Sequence, residues 1–196
     1  MNEALKKAVD SIDFDKYPGQ DNYTGFDKIT KKNITIIEGG GGRSTKRLLH
    51  FVAENGGKVI VIDLCTKPRE KSYIDGKEVG EAGAGDYSPK KELYQRLLSN
   101  PDIKPYFEYY DMDIYEFFKN HYHEKIDFYF DDAVHFSDYL IPLFTMIMPR
   151  CNQGALLGTH DKGDTSMKEF CEFLKKHERV GDVYDEHAES LLVRLK

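Results

Sequence analysis

Short apolar runs typical of buried β-strands alternate along the chain with longer segments whose apolar residues recur at helical spacing. The run from Lys58 to Asp63 is apolar at each inner position, as expected of a strand covered on both faces. The pattern predicts strands at 33–38, 58–63, 105–110, 125–131 and 154–159, and helices at 44–54, 88–97, 114–120, 136–148 and from 166 to about 177. This alternation predicts an α/β sandwich in which helices cover a parallel sheet.

Three segments lie outside the alternation. Residues 1–32 precede the first strand, and we expect them to form a helical and loop extension to an α/β domain spanning 33–196. Between about 65 and 90 the periodicity is lost, and Asp75-Gly76 between two short β-rich runs predicts a hairpin within an inserted excursion. The end of the chain, at 179–185 and 190–195, predicts an antiparallel hairpin.

Two serines predict where helices begin. Ser44 directly follows the glycine-rich segment and precedes apolar residues at helical spacing, which indicates an N-cap. Ser166 and Glu169 have the spacing of a capping box. We therefore expect each serine to satisfy backbone N–H groups in the first turn of its helix.

Composition limits the size of the fold and the class of partner. With 196 residues, 40% of them hydrophobic and 32% charged, the chain matches one ordinary domain with one core. The 28 Lys and Arg side chains face 34 Asp and Glu side chains, so the net charge is -6. A nucleic-acid partner is disfavoured, because a phosphate backbone would need a local basic patch.

No segment predicts insertion into a membrane. The longest strongly apolar run, 139–148, contains Pro142 and is far shorter than the roughly 20 residues that a membrane span needs. The charged, amphipathic N-terminal segment lacks the features of a secretory signal, so we expect a cytoplasmic location. Cys65, Cys151 and Cys171 are odd in number and lack metal-ligand spacing, which predicts buried, reduced thiols.

A run of four glycines, Gly39 to Gly42, separates the first strand from the first predicted helix of the α/β domain. Glycines let a ligand approach the backbone, and the N-terminus of the next helix offers unpaired N–H groups. Asp63 ends the neighbouring strand, where a carboxylate can accept hydrogen bonds from both ribose hydroxyls. The pattern fits an adenosine-containing ligand; the alternative is a tight turn beside a solvated aspartate.

Glu38 closes the first strand immediately before the glycines, and this arrangement resembles the class I S-adenosylmethionine-dependent methyltransferases. Dinucleotide oxidoreductases share the turn but usually begin it directly with glycine. The resemblance implies a Rossmann-like sandwich whose seven-stranded, mostly parallel sheet ends in the antiparallel hairpin. It also implies S-adenosyl-L-methionine as the cofactor, with contacts from Glu38, Gly39, Gly40, Gly42, Ser44, Asp63, Asp111, Met112 and Asp113.

Among these residues, the segment from Asp111 to Asp113 follows the third predicted strand, where the family usually contacts the adenine ring. A carboxylate there can accept the exocyclic amine while Met112 packs on the ring. The alternative is a solvated turn with one methionine in the core.

The fourth and fifth predicted strands end in Asp132-Ala-Val-His135 and in His160-Asp161. These endings resemble a methyltransferase subgroup that includes sugar and small-molecule O-methyltransferases. The resemblance implies Mg²⁺ or Mn²⁺ held by Asp132, His160 and Asp161, catalytic roles for His135 and Asp132, and a hydroxyl of a small molecule or carbohydrate as acceptor. Adjacent parallel strands do place their carboxyl ends together, and oxygen-rich clusters suit these ions. The alternative is that the two aspartates are strand-end caps.

Two other functions stay open. A nicotinamide-dependent oxidoreductase would share the glycine turn and the acidic strand end. A catalytically silent binding protein of methyltransferase shape is favoured by two departures from the family pattern: Gly39 stands where an apolar residue is usual, and Arg43 where a small one is. The sequence leaves a homodimer open as well.

Overall fold

Regular elements account for most of the chain in the computed structural model, which describes residues 1–18, 26–65, 72–74, 77–80, 88–185 and 189–196. The strands are β1 Ile34–Gly39, β2 Gly57–Ile62, β3 Ser72–Ile74, β4 Lys77–Gly80, β5 Phe107–Tyr110, β6 Ile126–Asp131, β7 Cys151–Thr159, β8 Val180–Tyr184 and β9 Leu191–Leu195. The α-helices are α1 Glu3–Asp10, α2 Ser44–Asn55, α3 Ser88–Ser99, α4 Ile114–Glu116, α5 Ser137–Ile147 and α6 Lys168–Lys176.

The main sheet has seven strands in the order β5-β2-β1-β6-β7-β9-β8. The first five of these pair in parallel, whereas β9 runs antiparallel to both β7 and β8. Gly39 aligns with Ile62 on one side and with Asp131 on the other, so β1, β2 and β6 end at one edge of the sheet. The predicted mostly parallel sheet with a C-terminal antiparallel hairpin is confirmed.

Each face of the sheet is covered by its own hydrophobic core, as period-two alternation along buried strands requires. Ile37 and Tyr129 point into the core beneath α5 and α6, whereas their neighbours Ile36 and Phe128 point into the core beneath α1, α2 and α3. The two layers hold the central strands rigidly, and this fixes where their carboxyl ends lie.

The N-terminal extension contributes to the second of these cores. Leu5 and Val9 of α1 are fully buried in the cluster that contains the apolar residues of α2. Asn2 caps α1 by accepting a hydrogen bond from Leu5 N–H at 3.1 Å. Further along, Arg43 Nε donates to the Tyr17 carbonyl at 3.0 Å, which ties the extension to the start of α2.

Both predicted serine caps are wrong. The N-cap of α2 is Arg43, and Ser44 Oγ donates instead to the Glu38 carboxylate. Ahead of α6, Asp164 caps a short 3-10 turn over Thr165–Met167 and accepts from Ser166 N–H, so the α-helix itself begins at Lys168. In both places a nearby carboxylate oxygen takes the hydrogen bond: Glu38 accepts from the Ser44 hydroxyl, and Asp164 accepts from Ser166 N–H.

Several predicted elements have different bounds. The strand expected at 154–159 begins at Cys151. The strand expected from Pro105 begins at Phe107, because Lys104–Tyr106 forms a 3-10 turn. The helix expected at 114–120 is a single α-turn followed by a π-helical turn over Phe117–His121. The excursion hairpin is confirmed as the antiparallel pair β3 and β4, while its turn at 75–76 lies outside the described residues.

All three cysteines are buried and free, as expected. Burial raises the pKa of the Cys65 and Cys151 thiols to about 12. Among the helices of the described ranges, none is long and apolar enough to cross a lipid bilayer.

Candidate functional site

The carboxyl ends of β1, β2, β6 and β7 meet in one region, which we call the crevice. Its first wall is the bend at residues 39–42, called here the glycine bend. Gly40 has φ +76°, and its N–H donates to the Ile62 carbonyl at 2.9 Å. A Cβ on Gly40 would lie 2.7 Å from the Asp132 carbonyl oxygen. Glycine is therefore required here both by the backbone conformation and by the close approach of the β6 end.

Glu38 lies directly beneath the glycine bend and is fully buried. Its two carboxylate oxygens accept hydrogen bonds from Ser44 Oγ at 2.5 Å and from Thr45 Oγ1 at 2.7 Å. Thr45 Oγ1 in turn accepts from Gly42 N–H at 3.1 Å. Burial outweighs these hydrogen bonds and raises the pKa of Glu38 to about 7. The carboxyl group thus braces the start of α2 against β1, and its oxygens do not face the crevice unpartnered.

Asp63 follows β2 and forms the wall opposite the glycine bend. Its Oδ2 accepts from Tyr94 Oη at 3.0 Å and from Lys90 Nζ at 3.3 Å. The same ammonium also lies 3.3 Å from the Gly40 carbonyl oxygen. Burial raises the pKa of Asp63, with Lys90 acting in the opposite direction. For Lys90, burial acts to lower the pKa, but the Asp63 and Asp132 carboxylates outweigh it and raise the pKa above its ordinary value.

Sequence reasoning missed Lys90 and Tyr94 as crevice residues. Both belong to α3, and their spacing of four places them on one face of that helix. The available signal was Lys90 itself, a cation on the face that carries the buried Leu93 and Leu97. A buried lysine needs a carboxylate partner, and the nearest strand end supplies one.

The predicted adenine-contacting segment has two roles within the fold. Asp111 Oδ1 accepts from Cys65 N–H at 3.1 Å, which joins the ends of β5 and β2. Asp113 caps α4 by accepting from Glu116 N–H at 3.1 Å, and it also accepts from Tyr139 Oη at 3.0 Å. Met112 is half-buried against the core beneath α5. The structure therefore places these three residues at the end of β5, beside the Asp63 side of the crevice.

On the other side of the crevice lies the acid–histidine cluster, formed by Asp132, His135, His160 and Asp161. Asp132, His135 and Asp161 each offer one ligand atom, and these atoms all lie within 4.8 Å of one another. His135 Nδ1 is 3.1 Å from Asp161 Oδ2, and its Nε2 is 3.7 Å from Asp132 Oδ1. Nε2 is buried and has no hydrogen-bond partner among the described residues.

His160 lies behind this group and is fully buried. Its Nδ1 is 2.8 Å from Asp161 Oδ1 and 3.4 Å from Asp132 Oδ1, while its Nε2 is 3.4 Å from Glu189 Oε2. The three residues predicted as metal ligands, Asp132, His160 and Asp161, are thus brought together. Among the described residues, the group whose ligand atoms converge consists of Asp132, His135 and Asp161, and His160 lies behind it.

Backbone geometry fixes the two acids of this cluster. Asp161 adopts φ +52°, a conformation uncommon outside glycine, which turns its carboxylate back toward the β6 end. Asp132 N–H donates to the Gly39 carbonyl at 2.8 Å, so the cluster is tied directly to the glycine bend.

Sequence reasoning also missed Asp131, which ends β6 and is fully buried. Its Oδ2 accepts from Tyr129 Oη at 2.5 Å and its Oδ1 from Val134 N–H at 3.1 Å. Burial is the main cause that raises its pKa to about 6. Successive residues at a strand end point to opposite faces, so Asp131 and Asp132 point in different directions. Asp131 accepts hydrogen bonds from backbone N–H groups of the 131–135 loop, whereas Asp132 points toward the cluster. The Asp-Asp pair at the strand end was the available signal.

The sheet order and the position of the crevice define a Rossmann-like fold of the class I methyltransferase type. A family model described as a methyltransferase domain matches residues 37–162, more than half of the chain. The chain belongs to this family of methyltransferase domains, and the resemblance read from the glycine bend and the strand ends is confirmed. No curated protein shows significant sequence similarity to the chain.

Solved structures share the fold at low sequence identity. An O-methyltransferase from Bacillus cereus in complex with SAH is 15% identical with a TM-score of 0.57, the match covering 100% of this chain and 92% of that one. A methyltransferase from Geobacter sulfurreducens is 15% identical with a TM-score of 0.55, over 84% and 71% of the two chains. MycE methyltransferase, in complex with Mg, SAH and mycinamycin VI, is 12% identical with a TM-score of 0.50 over 84% of this chain and only 45% of its own.

Proposed function

We propose that the protein is an S-adenosyl-L-methionine-dependent methyltransferase that methylates a hydroxyl group of a small molecule or carbohydrate, assisted by Mg²⁺ or Mn²⁺. The observation that carries this proposal is the convergence at one sheet edge of the glycine bend, the Asp63 carboxylate and the acid–histidine cluster, in a chain of the methyltransferase-domain family. Ligands of open α/β sheets bind at this edge.

The cofactor would lie between the glycine bend and Asp63. Backbone N–H groups of the bend would face its amino-acid end, and the Asp63 carboxylate would accept from the ribose hydroxyls. Glu38 and Ser44 would act through the shape of the bend, since each is already hydrogen-bonded to the other. Asp111 and Met112 would flank the adenine, and Asp113 would support them as the cap of α4.

When bound, S-adenosyl-L-methionine supplies an electrophilic methyl group on a positively charged sulfonium. The donor set of the crevice fits such a ligand, because Asp63 and Asp132 give it negative charge at both sides. The space between the walls is taken by the Lys90 ammonium, so binding requires this side chain to move.

The metal would be held by Asp132, His135 and Asp161. Two carboxylate oxygens and one imidazole nitrogen suit Mg²⁺ or Mn²⁺, and the buried, unpartnered His135 Nε2 is an atom that such an ion would satisfy. A bound ion would lower the pKa of an acceptor hydroxyl and orient it. In place of the ligand role predicted for it, His160 would hold the two carboxylates from behind.

His135 has two candidate roles at one atom. Nε2 offers a single lone pair, so it can either bind an ion or accept the proton of the acceptor hydroxyl. Asp132 would stabilise positive charge at this atom in either role, since its Oδ1 lies 3.7 Å from His135 Nε2. The chain would gain most of its rate by aligning the acceptor oxygen with the methyl group, because direct displacement needs little other chemistry from the protein.

Titration calorimetry with S-adenosyl-L-methionine and with SAH tests the cofactor assignment. We expect saturable binding of both, with NADH as the negative control that separates this function from an oxidoreductase. Asp63→Asn should weaken binding about tenfold or more, because the amide loses charge and one acceptor position. Glu172→Gln, on the exposed face of α6, is the matched control. Binding of NADH in preference to either adenosyl ligand would refute the proposal.

Turnover needs a separate measurement. Mass spectrometry of small molecules that co-purify with the protein should identify an adenosyl ligand or an acceptor, and candidate acceptors are then assayed for a mass gain of one methyl group. Tight adenosyl binding with no transfer to any hydroxyl acceptor would instead support the catalytically silent alternative.

A further inference from the structure

We propose that Lys90 controls which ligand enters the crevice: its ammonium occupies the place of the ligand's ribose on Asp63, and an adenosyl ligand binds by displacing it. This inference rests on the proposed function, since it assigns the selectivity of the same cofactor site.

The position of Lys90 is the first argument. Its Nζ is 3.3 Å from Asp63 Oδ2 and 3.3 Å from the Gly40 carbonyl oxygen. These two acceptors belong to the opposite walls of the crevice. One ammonium therefore spans the gap that a nucleoside would have to fill, and a ribose cannot reach the Oδ2 atom of Asp63 while the ammonium stays there.

Burial is the second argument. The side chains of Lys90 and Asp63 are only 9% and 10% exposed, so the carboxylate is nearly sealed from solvent. A ribose hydroxyl could replace either donor on Asp63 Oδ2. Tyr94 is fixed, because its ring is fully buried and its centroid lies 4.4 Å from that of Tyr109. Lys90 has a flexible four-carbon stem, so it is the donor that moves.

Charge is the third argument. The Asp63 and Asp132 carboxylates both stabilise the Lys90 ammonium, and Lys90 in turn favours the charged form of buried Glu38. Buried carboxylates that lose their cation are strongly destabilised. S-adenosyl-L-methionine carries a net positive charge that can replace the ammonium, whereas the sulfide product SAH has lost the sulfonium charge. Lys90 should therefore compete more strongly against the product than against the cofactor.

Lys90→Met tests this selectivity directly, because methionine keeps an unbranched apolar stem and removes the charge. Arg96→Met, which removes an exposed cation from the same helix, is the matched control. Calorimetry should show SAH binding at least about tenfold tighter in Lys90→Met than in the wild type, a smaller gain for S-adenosyl-L-methionine, and no change in Arg96→Met. Unchanged or weaker SAH binding by a folded Lys90→Met protein would overturn the inference.

A second measurement uses the wild-type protein, so it does not depend on the folding of a variant. Reductive methylation with formaldehyde and borohydride, read by peptide mass spectrometry, reports the accessibility of the Lys90 amine. A displaced Lys90 should be modified several-fold faster at saturating SAH than without ligand. Slower or unchanged modification would mean that the amine stays buried on Asp63, which contradicts displacement.

The outcomes separate the two proposals. If wild type and Lys90→Met bind SAH equally well and Lys90 is not exposed by the ligand, the control by Lys90 is refuted while the proposed function stands. If neither the wild type nor either variant, Arg96→Met or Lys90→Met, shows measurable affinity for SAH, both proposals are refuted together.

Discussion

The two halves of the crevice satisfy their buried charges in different ways. In the half formed by β1 and β2, each acid has donors of its own: Glu38 has Ser44 and Thr45, and Asp63 has Lys90 and Tyr94. In the half formed by β6 and β7, the carboxylates of Asp132 and Asp161 lie against the imidazoles of His135 and His160. The acids of the first half therefore lie against hydroxyl and ammonium donors, whereas those of the second half lie against histidines.

This difference has a consequence for ligands. A buried charge is stable only when it is paired, so a ligand of the first half must replace an existing partner. A cation in the second half would instead bind where two carboxylates and one imidazole already converge. Binding in the first half is therefore expected to compete with the protein's own side chains, whereas a cation in the second half would use ligand atoms that already lie close together.

The largest expected effect is on stability, in the half formed by β1 and β2. Asp63→Ala leaves the Lys90 ammonium buried without its nearest carboxylate, and we expect a loss of about 3 kcal/mol in the free energy of unfolding. The double variant Asp63→Ala with Lys90→Met should recover most of that loss, because no unpaired cation remains. Urea denaturation of the single and double variants measures both values. Equal losses in the two would mean that the pair is not coupled.

Glu38 gives the next effect, through pH. Its pKa lies at about 7 against an ordinary value of 4.5, so the folded protein holds this proton more tightly than the unfolded chain. The resulting stability is fully present below about pH 4.5 and is lost as pH rises to about 7, a change of roughly 3 kcal/mol.

Glu38→Gln isolates that contribution, since glutamine does not titrate. We compare the free energy of unfolding of the variant with that of the wild type. The difference, variant minus wild type, should rise by roughly 3 kcal/mol between about pH 4.5 and 7.5. Denaturation curves at several pH values give the difference directly. A difference independent of pH would show that Glu38 titrates in the folded protein as it does in the unfolded chain.

In the half formed by β6 and β7, metal affinity is the sensitive quantity. Asp132→Asn removes one ligand charge from the group of Asp132, His135 and Asp161. We expect Mn²⁺ affinity to fall by about 100-fold, measured by the electron paramagnetic resonance signal of free Mn²⁺. His160→Asn should cost less, about tenfold, because His160 only positions the carboxylates. Equal weak binding by wild type and both variants would eliminate the site.

The smallest effect concerns the loop that carries His135. Ser166 Oγ contacts the His135 carbonyl oxygen and lies 2.8 Å from Asp164 Oδ1. Ser166→Ala should lower the free energy of unfolding by about 1 kcal/mol and weaken Mn²⁺ binding only several-fold. If Ser166→Ala lowered Mn²⁺ affinity as much as Asp132→Asn does, the position of His135 would depend mainly on its contact with Ser166, which contradicts this expectation.

The fold was predictable because its signals are local. The apolar strands and the glycine bend fix β1, β2 and β6, and the rules for parallel sheets then bring Asp63 and Asp132 to one edge. What could not be predicted was which neighbouring side chain each acid would meet. The serine hydroxyl at position 44 had two acceptable partners, the helix backbone and the Glu38 carboxylate, and only the buried position of that carboxylate decides between them.

The same reason applies to the positions of His160 and His135. Both histidines stand near a strand end in sequence, but the αL conformation of Asp161 and the position of Glu189 decide which ring faces the centre of the cluster. Lys90 was missed for a related reason, since its partner Asp63, which follows β2, is far away in sequence and lies close only in the folded chain.

The central claim, that the crevice binds an adenosyl ligand between the glycine bend and Asp63, is tested most directly by a crystal structure of the protein grown with SAH. We predict electron density for a ribose within hydrogen-bond distance of the Asp63 carboxylate, with the Lys90 ammonium moved away from Asp63 Oδ2. An SAH molecule bound elsewhere, or a crevice still spanned by Lys90 at saturating SAH, would contradict it.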